Sequence, residues 1–164
     1  MDSISELNTL GLNCIFTLIG EGSAVKEIKR RCSSDPSLFI YKPSMAHEDI
    51  HVELGIHHIG VLPMPESKVW ALASPLKRGE YLASGLMVVG IDHDGHRLQG
   101  VDEKWFHLNS EPSLTDSIYG LFNNLSEEEF SRMSKEAQNY AIEHLSWDET
   151  VHMLISQLRG EMNG

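Results

Sequence analysis

Cysteine and positive charge are both scarce in this sequence. Only Cys14 and Cys32 occur in 164 residues, so we expect no disulfide framework and a reducing compartment, with both thiols acting as small buried apolar groups. Lys and Arg number 13 against 24 Asp and Glu, which gives a net charge of −11. That balance argues against nucleic-acid binding and against binding to an anionic membrane surface, because both require basic patches.

Long apolar runs, internal repeats and low-complexity stretches are also missing. No run approaches the roughly 20 apolar residues of a transmembrane helix, and no signal-peptide pattern opens the sequence. We therefore predict a cytoplasmic protein without a transmembrane segment, whose contact with a membrane would be peripheral and through a partner. The length suits one domain over residues 1–164.

Short apolar runs alternate with segments of helical periodicity. Helices are expected at 1–10, 24–32 (capped by Ser23), 46–54 and 74–85, and the carboxyl-terminal part is helical, with a capping box at Ser126 and Glu129 and a similar pattern at Ser146 and Glu149. Because the apolar runs are nearly continuous, they indicate a parallel sheet covered on both faces, an α/β fold. The predicted strands are 13–19, 37–41, 56–62, 86–91 and, as a candidate, 104–108.

Ligands of parallel sheets bind beyond the carboxyl ends of the strands, so the loops there are candidate sites. The first is Gly20-Glu21-Gly22, where glycine permits close approach of the backbone and the following helix offers N–H groups to an anion. The alternative interpretation is an ordinary tight turn between a strand and a helix.

The segment 74–85, SPLKRGEYLASG, is the second candidate. Ser74 suits the N-cap and Pro75 the first helical position, which leaves the N–H groups of Leu76 and Lys77 unpaired. Spacing predicts one exposed face with Lys77, Glu80, Tyr81 and Ser84, and an opposite small apolar face with Leu76, Gly79, Ala83 and Leu86.

A lysine beside unpaired N–H groups suits a phosphate, and a carboxylate one turn deeper suits the two hydroxyls of a ribose. The segment therefore predicts a nucleotide site. The alternative interpretation is a surface Lys77–Glu80 ion pair that adds little stability.

The loop 90–96, GIDHDGH, contains four side chains of metal-ligating types, Asp92, His93, Asp94 and His96. Their spacing follows no zinc or calcium pattern, so we predict a polar loop and no metal site.

Residues 57–92 resemble the carboxyl-terminal, donor-binding domain of GT-B glycosyltransferases, in particular family 4. The family pattern P-x-K-x-x-E-Y-x-A-x-G is matched by Pro75, Lys77, Glu80, Tyr81, Ala83 and Gly85, while Met87 stands where the family usually has Pro. SWDETVHML and LIGEGS resemble two further family segments, so the resemblance extends from Cys14 to Leu158.

The resemblance implies a Rossmann-like three-layer domain with a mainly parallel sheet. It implies that Glu80 holds the ribose hydroxyls of a nucleotide diphosphate sugar, that residues 74–77 lie near the diphosphate and donor sugar, and that Gly20–Gly22 line the nucleotide cleft. By the same resemblance, Lys42 and Pro43 contact the base. The reaction implied is sugar transfer to an acceptor hydroxyl with retention of configuration, without a metal or another cofactor.

The sequence departs from the family in three further places. Leu72 stands where a second Glu usually contacts the donor sugar, and neither the preceding strand with Arg and Lys nor the acceptor-binding domain is present in the sequence. We therefore expect the isolated chain to be inactive, and to be a truncated reading frame, an excised domain, or one subunit paired with a separate acceptor-binding domain or subunit. An edge left by the missing strand would favour a homodimer or aggregation. The alternatives are a non-catalytic interaction module of the same fold and an unrelated flavodoxin-like domain.

Overall fold

The computed structural model describes residues 1–65, 67–72, 76–109 and 113–161, and its helices and strands alternate for most of this length. In chain order the elements are α1 (Asp2–Thr9), β1 (Phe16–Ile19), α2 (Val25–Ser34), β2 (Phe39–Lys42), α3 (His47–Leu54), β3 (Ile59–Leu62), α4 (Lys68–Ala71), α5 (Leu76–Ala83), β4 (Met87–Ile91), β5 (Phe106–Asn109), α6 (Leu114–Phe122), α7 (Glu127–His144) and α8 (Trp147–Glu161).

The strands are all parallel to their neighbours, and they are divided between two small sheets. β1 pairs with β2 from Phe16 opposite Phe39 to Ile19 opposite Lys42. The second sheet has the order β3-β4-β5, with Val61 opposite Val89 and Val89 opposite His107. The predicted α/β architecture with parallel strands and a helical carboxyl terminus is confirmed, and it is consistent with a Rossmann-like three-layer fold.

Helices cover both faces of the strands, and each face has its own apolar cluster. One cluster joins the second sheet to α5 and α7 and includes Leu62, Leu82, Met87, Trp105 and Met133. The other joins both sheets to α1 and α6 and includes Ile4, Leu7, Phe39, Val89 and Ile118. All ten side chains are buried, so each cluster contributes to the core.

Local signals set several helix starts. The capping box of α7 is confirmed, because the Ser126 hydroxyl accepts from the backbone N–H of Glu129 and the Glu129 carboxylate accepts from the backbone N–H of Ser126. The Ser146 hydroxyl accepts from the Glu149 N–H at 3.2 Å at the start of α8. The predicted Ser23 cap is wrong: α2 is preceded by Ala24 and has no side-chain cap bond.

The predicted apolar face of α5 is also wrong in part. Leu76 is 71% exposed and Ala83 is also exposed. Leu82, which the prediction assigned to neither face, is fully buried. The helix is rotated about its axis relative to the prediction, so Tyr81, which was predicted on the exposed face, packs against the core. Gly85 ends the helical region with φ of +77°, a conformation that glycine adopts without strain.

None of the helices in the described part of the chain combines the length and apolar character needed to cross a membrane. The carboxyl-terminal helix α8 instead carries an exposed apolar stripe at helical spacing, formed by Val151, Leu154, Ile155 and Leu158.

Candidate functional site

A large cavity, of about 630 Å³, lies between β1 and β3. β1 contributes all four of its residues, and β3 contributes Ile59, Gly60 and Val61. Helices close the cavity from both faces, with Ile4 and Ile118 from α1 and α6 and residues of α5 opposite them. The cavity is therefore bordered by strand edges at its sides and by helices above and below.

The position of this cavity in the sheet order is typical of a binding site. From β1 the chain adds β2 on one side, and from β3 it adds β4 and β5 on the other, so the order reverses between β1 and β3. Open α/β sheets bind ligands beyond the carboxyl ends of the strands at such a reversal. Ile19 and Pro63, which end β1 and follow β3, both line the cavity.

Lys77 and Glu80 contribute the polar lining on the α5 side. The Lys77 Nζ donates to Glu80 Oε2 at 2.7 Å, and the lysine is 57% exposed while the glutamate is 23% exposed. Both residues face the cavity, so the structure brings together the two side chains that sequence spacing singled out. Their ion pair is the one that the alternative interpretation of this helix also predicts.

Tyr81 lines the same cavity, and its ring lies directly against β3. A Cβ built on Gly60 would meet Tyr81 Cδ2 at 2.2 Å and Cγ at 2.3 Å, so only glycine at this strand position lets the ring lie there. Burial raises the pKa of the Tyr81 phenol, and the neighbouring Glu80 carboxylate raises it further. The phenol consequently stays protonated and can donate a hydrogen bond.

The Gly20-Glu21-Gly22 turn follows β1 and borders a smaller cavity of about 140 Å³. Gly20 and Gly22 have φ of +139° and +156°, so the turn uses backbone conformations that favour glycine. The Gly20 carbonyl accepts from the Tyr41 hydroxyl at 3.0 Å. Burial and the nearby Glu21 carboxylate raise the pKa of that phenol. The turn thus contacts β2, and Ile19 separates it from the large cavity.

Lys42 ends β2, and its ammonium is held by a carboxylate. The Nζ donates to both oxygens of Glu53 at 2.6 and 2.7 Å, and His57 Nε2 lies 3.1 Å from Oε1 of the same glutamate. The Lys42 hydrogen bond lowers the pKa of Glu53, with His57 assisting. Pro43 follows in an exposed position, and neither Lys42 nor Pro43 lines the large cavity.

Three predicted site residues remain, Ser74, Pro75 and Leu76. Ser74 and Pro75 are outside the described residues. Leu76 is the first described residue of the helix, and its side chain points largely into solvent. Leu76 is not among the residues that line the large cavity.

The Asp- and His-containing loop forms its own internal network. His93 and His96 are buried, and their rings stack with centroids 3.8 Å apart. Arg97 donates to Asp92 and Asp94, and this contact lowers the pKa of Asp92. In the part of the chain that the structure describes, no cluster of three or more potential ligands is arranged to hold a metal ion.

Sequence reasoning missed two features of this region. The Glu53 carboxylate, which joins Lys42 to His57, lies on a helix that periodicity treated only as polar cover. The spacing of Glu53 and His57, four residues apart, was the available signal. The second feature is the open, apolar-lined space between β1 and β3. The sequence did not predict it, because no local pattern determines which strands become neighbours.

Comparisons with known proteins found no family model that matches this chain and no curated protein with significant similarity to it. The resemblance to family 4 glycosyltransferases therefore depends on the sequence motifs given above.

Proposed function

We propose that this chain binds a nucleotide diphosphate sugar at the carboxyl-terminal end of the cavity between β1 and β3. The observation that carries this proposal is the position of Lys77 and Glu80 side by side on the cavity wall, at the reversal of strand order. A cation, a carboxylate and a phenol there supply one group for each polar part of such a ligand: diphosphate, ribose and sugar hydroxyls.

Lys77 would exchange its present partner for the diphosphate. Its side chain is more than half exposed, so turning the ammonium toward a ligand requires little desolvation. Glu80 is more enclosed, and its position is better defined. Once Lys77 has turned to the diphosphate, both Glu80 oxygens can accept from the ribose hydroxyls, as carboxylates have several acceptor positions. The Tyr81 phenol is a further donor on the same wall.

Within a complete glycosyltransferase, this site would favour departure of the nucleotide diphosphate as the sugar moves to an acceptor hydroxyl. Positive groups fixed near the leaving diphosphate stabilise the charge that develops on it. The retaining stereochemistry and the acceptor-binding partner follow from the family resemblance. We expect the isolated chain to bind the donor weakly and to transfer no sugar.

A second candidate is a non-catalytic interaction module that has kept the fold. The observation favouring it is that both lysines of the predicted site already have carboxylate partners, Lys77 with Glu80 and Lys42 with Glu53. An anion must compete with these contacts, which weakens the case for a diphosphate. Leu72 stands at the position where the family has a sugar-binding glutamate, and this also favours the non-catalytic module.

Titration with UDP, GDP, UDP-glucose and GDP-mannose separates the two candidates. For the donor site we expect binding in the millimolar range or tighter, weakened about tenfold or more by Glu80→Gln and by Lys77→Ala. Lys135→Ala and Glu143→Gln are matched controls, because both residues are exposed and lie away from the cavity. Lack of binding by the wild-type chain, or equal binding by all four variants, would exclude this donor site.

A further inference from the structure

The two strands that flank the cavity each keep one side of their backbone unpaired among the described residues. β1 pairs only with β2, and β3 pairs only with β4. The N–H groups of Phe16 and Gly20 are directed to β2, where they bond the carbonyls of Leu38 and Lys42. Successive residues of a strand alternate in direction, so the amides of Thr17 and Ile19 are directed toward the cavity.

The same alternation applies to β3. The His58 carbonyl accepts from the Met87 N–H of β4, which places the amides of Ile59 and Val61 on the opposite side. Main-chain groups of both strands thus face one cavity from its two sides. Such edges are templates for pairing with an additional strand, and enclosed backbone groups require partners.

The cavity is large enough to hold one strand. β1 and β3 are four residues long. A strand of that length extends about 13 Å, takes about 4.8 Å of sheet width and occupies a layer about 10 Å thick, which gives about 620 Å³. The cavity measures about 630 Å³. Ile4 and Ile118 on one face and Tyr81 on the other would pack on both sides of the inserted strand.

We propose that the slot between β1 and β3 accepts an extended strand from a separate polypeptide, which joins the two sheets into one of order β2-β1-strand-β3-β4-β5. Because both faces of the slot are lined mainly by apolar side chains, the inserted residues are apolar on both faces. The net charge of −11 favours a partner with basic residues flanking the strand. Main-chain hydrogen bonds supply the affinity, as in other strand additions.

This inference does not depend on nucleotide binding. The groups that carry it are backbone amides and apolar side chains, whereas the donor site depends on Lys77 and Glu80. Glu80 lines the cavity that the strand would fill, so peptide and nucleotide should compete for it, but each proposal has its own readout and failure of either leaves the other open to its own test.

The test uses the peptide acetyl-Lys-Lys-Val-Ile-Val-Val-Lys-amide and the same peptide N-methylated at alternate core residues. Amide hydrogen exchange of the full chain is followed by NMR with peptide at about 1 mM. We expect protection of Thr17, Ile19, Ile59 and Val61 to rise about tenfold or more. Leu18 and Gly60 serve as internal controls, since their amides are directed to β2 and β4.

We expect the N-methylated peptide to bind at least about tenfold more weakly, because it has lost donors to one edge. The proposal is overturned if the parent peptide does not bind, if both peptides bind equally, or if only one strand gains protection. It is also overturned if the same four amides become protected without peptide as protein concentration rises, because a second copy of the chain would then fill the slot.

Discussion

The contact between Gly60 and Tyr81 provides a quantitative test of how β3 packs on α5. In Gly60→Ala the added methyl carbon would lie 2.2 Å from Tyr81 Cδ2, 2.3 Å from Cγ and 2.8 Å from Cβ. Rotation of the ring moves Cδ2 but leaves Cβ in place, since Cβ is attached to the backbone of α5. Relief of the clash therefore requires α5 to move away from β3.

The expected cost follows from two opposing contributions. Overpacking of a well-packed region costs about 1–3 kcal/mol. Replacing a strand glycine by alanine also reduces the freedom of the unfolded chain, which returns about 0.5–1 kcal/mol. The two contributions combine to about 0–2.5 kcal/mol. Because the overlap includes the fixed Tyr81 Cβ, we expect the upper part of this range: Gly60→Ala should lower the free energy of unfolding by about 1–2.5 kcal/mol, and the melting temperature by about 2–10 °C for a chain of this length.

Gly120→Ala in α6 is the matched control. A Cβ at Gly120 would meet no atom within 4 Å, and alanine is the better helix former. The free energy of unfolding of this variant should rise by about 0.5–1 kcal/mol, a change opposite in sign to that of Gly60→Ala. Thermal and urea unfolding followed by circular dichroism measure both variants. If Gly60→Ala is as stable as the wild-type chain, β3 and α5 do not pack as described.

Three further predictions concern stability. Ser126→Ala should cost about 1 kcal/mol of unfolding free energy by removing the capping box of α7, while Ser131→Ala, an exposed position inside the same helix, should not destabilise the chain in urea unfolding. Burial lowers the pKa of His96, so the unfolded chain binds more protons than the folded chain below about pH 6.5. The contribution of His96 to the free energy of unfolding should therefore be complete above that pH and fall as the pH decreases. An NMR titration showing a normal or raised His96 pKa would contradict this. A double-mutant cycle of Lys42→Met and Glu53→Gln should give a favourable coupling of about 0.5–1 kcal/mol that decreases with salt, and zero coupling would mean that the contact does not stabilise the fold.

The fold class was accessible from the sequence because parallel strands have a distinctive pattern. The apolar runs at 13–19, 56–62 and 86–91 each contain an observed strand, and the runs at 37–41 and 104–108 overlap β2 and β5. The predicted positions of the strand ends were less accurate. β1 begins at Phe16 and β3 at Ile59, since an apolar residue before a strand satisfies the same pattern without pairing.

Within the candidate site, short-range relations were easier to predict than orientation. Lys77 and Glu80 are three residues apart on a helix, so their contact follows from helical geometry. The rotation of α5 does not, because it depends on the space that Gly60 leaves for Tyr81 from a different element. The nucleotide itself stays a prediction, since no local pattern determines whether a ligand can displace an existing ion pair.

The division of the strands between two sheets has a consequence for how the molecule opens. No strand pairing within the described residues links β1 and β2 to β3, β4 and β5, so the β1–α2–β2 unit is held to the rest mainly through side-chain packing around α1 and α6. A unit attached in this way can unfold without disrupting the second sheet, as a separate cooperative segment. A ligand that bridges both sheets would then act as a switch of cooperativity, converting two unfolding steps into one.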